Sequence, residues 1–170
     1  RSARVGVFAV LVGAGAGVGY AVGGKEGALT GAMIGDALGG VASSIMVPCF
    51  RAGTPIRTVD GDKPIDTLKA NVDRALARDE FNPNGPVEPK LIEKLFVREG
   101  VIFNVHVGGQ VIETTPEHPF YVRDKGWTPA GELEIGDLLS TVEGTWLPVE
   151  NLLDTGAVDT VYNLRIADHH

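Results

Sequence analysis

Cys49 is the only cysteine in the chain, and the histidines are His106, His118, His169 and His170. A thiol with an imidazole as its acid or base is a nucleophilic pair. Thiolate and imidazole together are also the ligand set that suits zinc, here Cys49 and His118 with His169 or His170. A single cysteine excludes an internal disulfide framework and a multi-cysteine zinc knuckle. A free cysteine is more often a small buried core residue than a nucleophile, so the residue types alone leave both readings open. His118 lies in the stretch TTPEHPF at a strand end, and His106 alternates with Val105 and Val107 on a hairpin strand. His106 is therefore read as the polar residue that sets the face of that strand. Distance along the chain does not say which imidazole meets the thiol.

The elements that must position these groups are short strands. Residues 55–59 have strand-forming side chains and run into the turn signal Asp60-Gly61-Asp62. Residues 66–80 show helical periodicity, with Leu68, Val72, Ala75 and Leu76 on one side. Residues 81–89, FNPNGPVEP, read as a loop, and 91–97 as a strand. Residues 101–107 and 111–115 flank Gly108-Gly109, a two-residue hairpin signal. Further strands are expected at 120–122, 138–142, 146–153 and 158–166, with turns at Asp124-Lys125-Gly126 and Gly136-Asp137. Many short strands with no alternating long helices predict a mainly β domain and disfavour a doubly wound α/β sheet.

The whole chain has 170 residues, 44% of them apolar, and a net charge of −7. That acidity argues against a nucleic-acid partner, which would demand a basic face. The average hides a seam at Pro48–Cys49. Residues 1–48 hold 12 of the 23 glycines but only 3 of the 15 basic and 2 of the 22 acidic groups. No charge occurs from Val5 to Gly24, a run of 20 residues that would span about 30 Å as a helix. Gly15, Gly19, Gly23, Gly27, Gly31, Gly35 and Gly39 recur at every fourth position, a stripe on which another helix can approach closely. One reading is a pair of packed glycine-zipper helices that associate with a membrane through residues 5–47. The other is a helical hairpin in water or a low-complexity leader, and Asp36 favours it. A signal peptide fits poorly, because the apolar run is long and no Met precedes it. The chain reads as a piece of something longer.

Taken together, the motifs from Cys49 onward resemble the Hint domain, the fold shared by hedgehog autoprocessing domains and inteins, in its bacterial pretoxin form. CFRAGTPIRTVDGDKPIDTLK resembles the opening block with Cys49 first, and TTPEHPF the TxxH block with Thr115 and His118 in place. GWTPAGELEIGDLLST and VYNLRIADHH resemble two later blocks, the second matching at Asn163 and His170. The resemblance implies a horseshoe-shaped, pseudo-twofold β fold over residues 49–170, preceded by the glycine-rich helical segment 1–48. It also implies a cofactor-free, single-turnover reaction on the chain's own flanking segments. In that reaction Cys49 attacks the Pro48 carbonyl, an N-to-S acyl shift giving a thioester. His118 protonates the departing nitrogen, Thr115 hydrogen-bonds nearby, and His170 assists downstream, with Asn163 in support. Zinc would enter only as an inhibitor. The biological role implied is splicing, or release of a flanking segment such as a toxin effector.

Several positions depart from the family pattern. The family's last strand and terminal His-Asn pair do not follow within these residues, so the upstream acyl shift is expected but Asn-driven cleavage is not. Asn163 stands where many inteins have Asp. The usual Gly-Asp pair is missing from Leu68–Asp73, so that turn lacks its ordinary signal. Pro48 crowds the scissile carbonyl and is expected to slow the shift. The rival reading is a non-catalytic β scaffold or interaction module carried on the glycine-rich helices.

Overall fold

A computed structural model of the chain describes residues 48–79, 82, 85–141 and 144–167. The helical and membrane-associated reading of residues 1–48 therefore lies almost wholly outside the described residues. Among the described residues, no helix is long and apolar enough to cross a membrane.

The described chain is mainly β, in ten antiparallel strands. They are β1 (Phe50–Arg51), β2 (Pro55–Thr58), β3 (Gly61–Pro64), β4 (Arg74–Ala77), β5 (Glu88–Val107), β6 (Gln110–Thr114), β7 (Pro119–Val122), β8 (Gly126–Pro129), β9 (Leu138–Ser140) and β10 (Trp146–Ile166). Their order in the sheet is β3-β2-β4-β5-β6-β1-β10-β9-β7-β8, and a further pairing of β5 with β10 closes β5, β6, β1 and β10 into a ring. Phe50, Ile56, Ile65, Ile92, Val105 and Leu164 belong to the main buried core.

Outside the ring stand two arms that repeat one another. One arm consists of β2, β3 and β4 and joins β5; the other consists of β7, β8 and β9 and joins β10. Each contains a single 3-10 turn, Ile65–Thr67 in one and Ala130–Glu132 in the other. The correspondence holds bond by bond. The Ile65 amide donates to the Thr54 carbonyl (2.9 Å), as Ala130 does to His118 (2.8 Å). The Lys69 amide donates to the Asp73 carboxylate (2.7 Å), as Glu134 does to Asp137 (2.9 Å). Lys63 pairs with Asp73 at 2.7 Å and Lys125 with Asp137 at 2.8 Å. His118 is thus the pseudo-twofold counterpart of Thr54.

Three local expectations change. Residues 66–80 do not form a helix: one 3-10 turn is followed by β4. The apparent stripe does not share a face, since Leu68 and Ala75 are buried while Val72 is 68% exposed. The turn without its Gly-Asp signal forms nonetheless. Asn71 takes a left-handed φ of 60°, the role Gly136 plays at 95° in the other arm, and asparagine tolerates that region better than most residues. Finally, the strands expected at 91–97 and 101–107 are one strand of 20 residues, and those at 146–153 and 158–166 are one of 21. The turn-like residues Asp154-Thr155-Gly156 make a bulge instead, with a register shift between Asp154 and Val158. Gly156 has φ 64°, and Thr155 Oγ1 donates across the pair to the Ile102 carbonyl (2.6 Å). A bulge bends a strand without ending it. By contrast, the hairpin read at Gly108-Gly109 forms, with Val107 opposite Gln110.

Gly100, in the middle of β5, is closely packed inside the ring. A Cβ there would sit 3.0 Å from Val161 Cγ2 and 3.1 Å from Thr115 Cγ2. Gly100→Val should therefore destabilise the fold by about 1–3 kcal/mol, the usual cost of overpacking. A urea midpoint equal to that of the parent would contradict this packing.

Candidate active site

Short β1 lies between two long-range partners, and this is what delivers Cys49. Phe50 is opposite Tyr162 of β10 on one side and Thr114 of β6 on the other. Arg51 locks the register: its Nε donates to Asp159 (2.7 Å) and its Nη1 to Glu113 (2.6 Å), one carboxylate from each neighbouring strand. These pairs are partly exposed and contribute little stability individually, but they define which residues meet at Cys49.

The peptide groups around Cys49 are held on both sides. The Cys49 amide donates to Thr115 Oγ1 (3.1 Å). The Cys49 carbonyl accepts from Thr114 Oγ1 (2.7 Å) and from the Thr115 amide (3.0 Å). The Pro48–Cys49 bond is therefore anchored through its own nitrogen, and Pro48 is buried beside it. The thiol packs with Ile102 and Val161.

His118 reaches this region through a turn, its amide donating to the Thr115 carbonyl (3.0 Å). Its ring is 1% exposed. It lies 4.0 Å from the Phe50 ring and 5.4 Å from the Phe120 ring, centroid to centroid. Neither ring nitrogen has a hydrogen-bond partner. Cys49 and Thr115 are thus brought together from positions 66 residues apart, and the His118 ring packs on Phe50, the residue after Cys49. Asn163 follows Tyr162 on β10 and is buried, its Oδ1 accepting from the Leu164 amide (2.8 Å). His169 and His170 lie outside the described residues. His106 is half-buried on β5, opposite Val111 and Asn151, in keeping with a strand position. Among the described residues, no group of three His, Cys, Asp or Glu side chains could hold a metal ion.

Burial dominates the electrostatics. It pushes the Cys49 thiol up to about 12, with the Arg98 charge opposing the rise and Glu117 adding to it. It pushes the His118 imidazole down to about 3. At neutral pH both groups are uncharged in this arrangement. Any nucleophilic role for this thiol would require it to lose its proton first, and any acid role for this imidazole would require it to receive one.

The His118 shift has a consequence for folding. In the unfolded chain the imidazole titrates near its ordinary 6.5, while in the folded chain it refuses the proton down to about 3. The unfolded state therefore gains protons first, and stability that is complete above 6.5 falls by about 1.4 kcal/mol for each pH unit below it, down to about 3. Asp73, which the Lys63 ammonium holds below its usual range, adds to the loss at the acid end. Urea midpoints between about pH 7 and pH 4 should fall, and more steeply for the parent than for His118→Phe. Equal slopes in the two chains would refute the burial of a neutral imidazole.

Arg51, Gly100 and Arg98 carry no linear signal that marks them. Arg51 could have been found only as an unpaired cation inside CFRAG; the other two emerge from strand pairing.

Comparisons with known proteins agree with this geometry. The family model for the pretoxin HINT domain matches residues 55–170. No curated protein is matched. The bacterial intein-like domain from Clostridium thermocellum is 37% identical, with a TM-score of 0.64 over 72% of this chain and 88% of that one. A DnaB intein from Synechocystis sp. shares the fold at 19% identity, with a TM-score of 0.62 over 72% of this chain and 90% of its own. The Msm DnaB1 intein splicing domain, whose structure is bound with zinc, does so at 16% identity and a TM-score of 0.56, over 70% and 87% of the two chains.

Proposed function

Because the chain belongs to the pretoxin Hint domain family, whose members are self-processing domains of the intein fold, we propose that it acts on its own Pro48–Cys49 bond. Cys49 Sγ gives up its proton to His118 and attacks the Pro48 carbonyl carbon. The C–N bond breaks, the amide nitrogen of Cys49 becomes an amine, and the proton it needs comes through His118. Residues 1–48 are then carried as a thioester on Cys49. An amide resists cleavage because nitrogen leaves poorly, so protonating it is the step that an acid most assists. Thr115 orients the nitrogen, and holding nucleophile and target side by side removes the entropic cost of their encounter.

The observation that carries this reading is the grip on the scissile nitrogen: the Cys49 amide is bonded to Thr115 Oγ1 at 3.1 Å. The thiol belongs to the same residue and His118 is one turn away. We further propose that His170 and Asn163 serve a downstream step, and that the reaction frees a flanking segment such as a toxin effector. Membrane association of residues 5–47 is a separate proposal, made on their apolar, glycine-striped sequence.

The test is intact mass analysis of the chain incubated with dithiothreitol. The thiol should capture the thioester and release residues 1–48 as a dithiothreitol adduct of defined mass. If the chain stays whole, both as it stands and when extended at its C-terminus, the self-processing reading fails and a scaffold role takes its place.

A further inference from the structure

Behind the thiol, β5 presents Arg98, Gly100 and Ile102 as alternate residues on one side of the strand. Two observations identify that side. Ile102 packs with Cys49 and Val161. A Cβ at Gly100 would touch Val161 and Thr115, the residue that grips the scissile nitrogen. Arg98 is directly opposite Val161 in the β5–β10 pairing, so its side chain leaves the strand on the same side. Between Arg98 and Ile102, the Val161 and Thr115 side chains take up the space that a side chain at position 100 would need. The Arg98 Nε atom is buried, and a guanidinium keeps its charge at every relevant pH.

This arrangement puts a permanent cation on the side of the sheet that carries the Cys49 cluster, and a sulfur must become anionic to react. Resting on the reading of Cys49 as the nucleophile, we propose that Arg98 is a positioning residue whose guanidinium holds the negative charge of the Cys49 thiolate between loss of its proton and attack on Pro48. The titration of the thiol agrees in direction, since Arg98 is the group that opposes the upward push of burial. The other charges around Cys49 do not substitute for it. Glu117 acts in the opposite sense. His118 is neutral at pH 7.

The test compares the parent with Arg98→Met, Arg98→Gln and Arg98→Lys in two assays. The first is the rate of dithiothreitol-dependent cleavage across neutral to mildly alkaline pH. The second is the rate at which Cys49, the only thiol, reacts with methyl methanethiosulfonate, divided by the hydrogen-exchange rate of the Cys49 amide so that the opening that exposes the buried thiol cancels; the ratio reports thiolate without requiring cleavage. Loss of the charge should lower both by about tenfold or more, the effect of one unit in the thiol pKa. It should also move the cleavage profile to higher pH. Arg98→Lys should stay within about threefold of the parent, because it restores charge but not shape. Should Arg98→Met fail to fold, Arg98→Gln decides. Parent-like thiosulfonate ratios in the neutral variants would overturn the proposal, as would Arg98→Lys reacting as slowly as Arg98→Met, since packing would then be the cause. If the parent itself does not cleave, the proposed function fails, and the thiosulfonate ratios still judge Arg98 separately.

Discussion

Cys49→Ala will remain a single intact species in dithiothreitol under conditions in which the parent loses residues 1–48. The expected effect is complete loss, because no other thiol exists in the chain to form the thioester. The substitution is mild for the fold. It removes one sulfur from a small cluster with Ile102 and Val161 and leaves the backbone bonds to Thr114 and Thr115 untouched. Its stability cost should be about 1 kcal/mol, that of a small buried truncation, so an intact mass cannot be blamed on unfolding once a urea curve has been recorded. Cys49→Ser adds a second reading. A hydroxyl is a far weaker nucleophile than a thiol, and the ester it would form is not captured by dithiothreitol. Cleavage of Cys49→Ala at the parent's rate would sink the mechanism outright.

The second large effect is expected at His118. A general acid contributes about 10²–10⁴ in rate, so His118→Phe should slow thiol-dependent cleavage by that factor. Phenylalanine is chosen over alanine because the ring lies between Phe50 and Phe120, where alanine would leave a cavity. The imidazole nitrogens have no partners to lose. His118→Phe should therefore fold at least as well as the parent, and better below pH 6.5, where the parent's neutral imidazole becomes a liability. Rate and stability thus move in opposite directions, which separates an acid from a packing residue. Undiminished cleavage in His118→Phe would reduce His118 to packing.

The fold and the site were legible to different degrees. Turn chemistry was readable because it depends on which residues tolerate positive φ. Gly108-Gly109 makes its hairpin, and Asp124 and Gly126 turn β7 into β8 with φ of 66° and 79°. The sequence reading ends one strand at 153 and starts another at 158, where Gly156, at φ 64°, serves a bulge within a single strand. It also passed over Asn71, which needs no glycine to take the left-handed conformation. The helical periodicity at 66–80 was a coincidence of spacing. Once Asp73 accepts the Lys69 amide, the chain turns, and Val72 goes to solvent rather than to a helix face.

The mainly β class could be read from the short strands and turns, and the order of the motifs singled out Cys49, Thr115 and His118 as the residues to test. The environment of those groups is set by pairing between distant strands. The closure of β5 on β10 and the insertion of β1 between β6 and β10 bury the thiol and the imidazole and push their pKa values apart. The same closure sets Arg98 opposite Val161 of the Cys49 cluster and seats Thr115 on the Cys49 amide nitrogen. The physical reason is range: a φ preference belongs to one residue and can be read where it stands, whereas burial and charge are set by strands that pair across more than 60 residues.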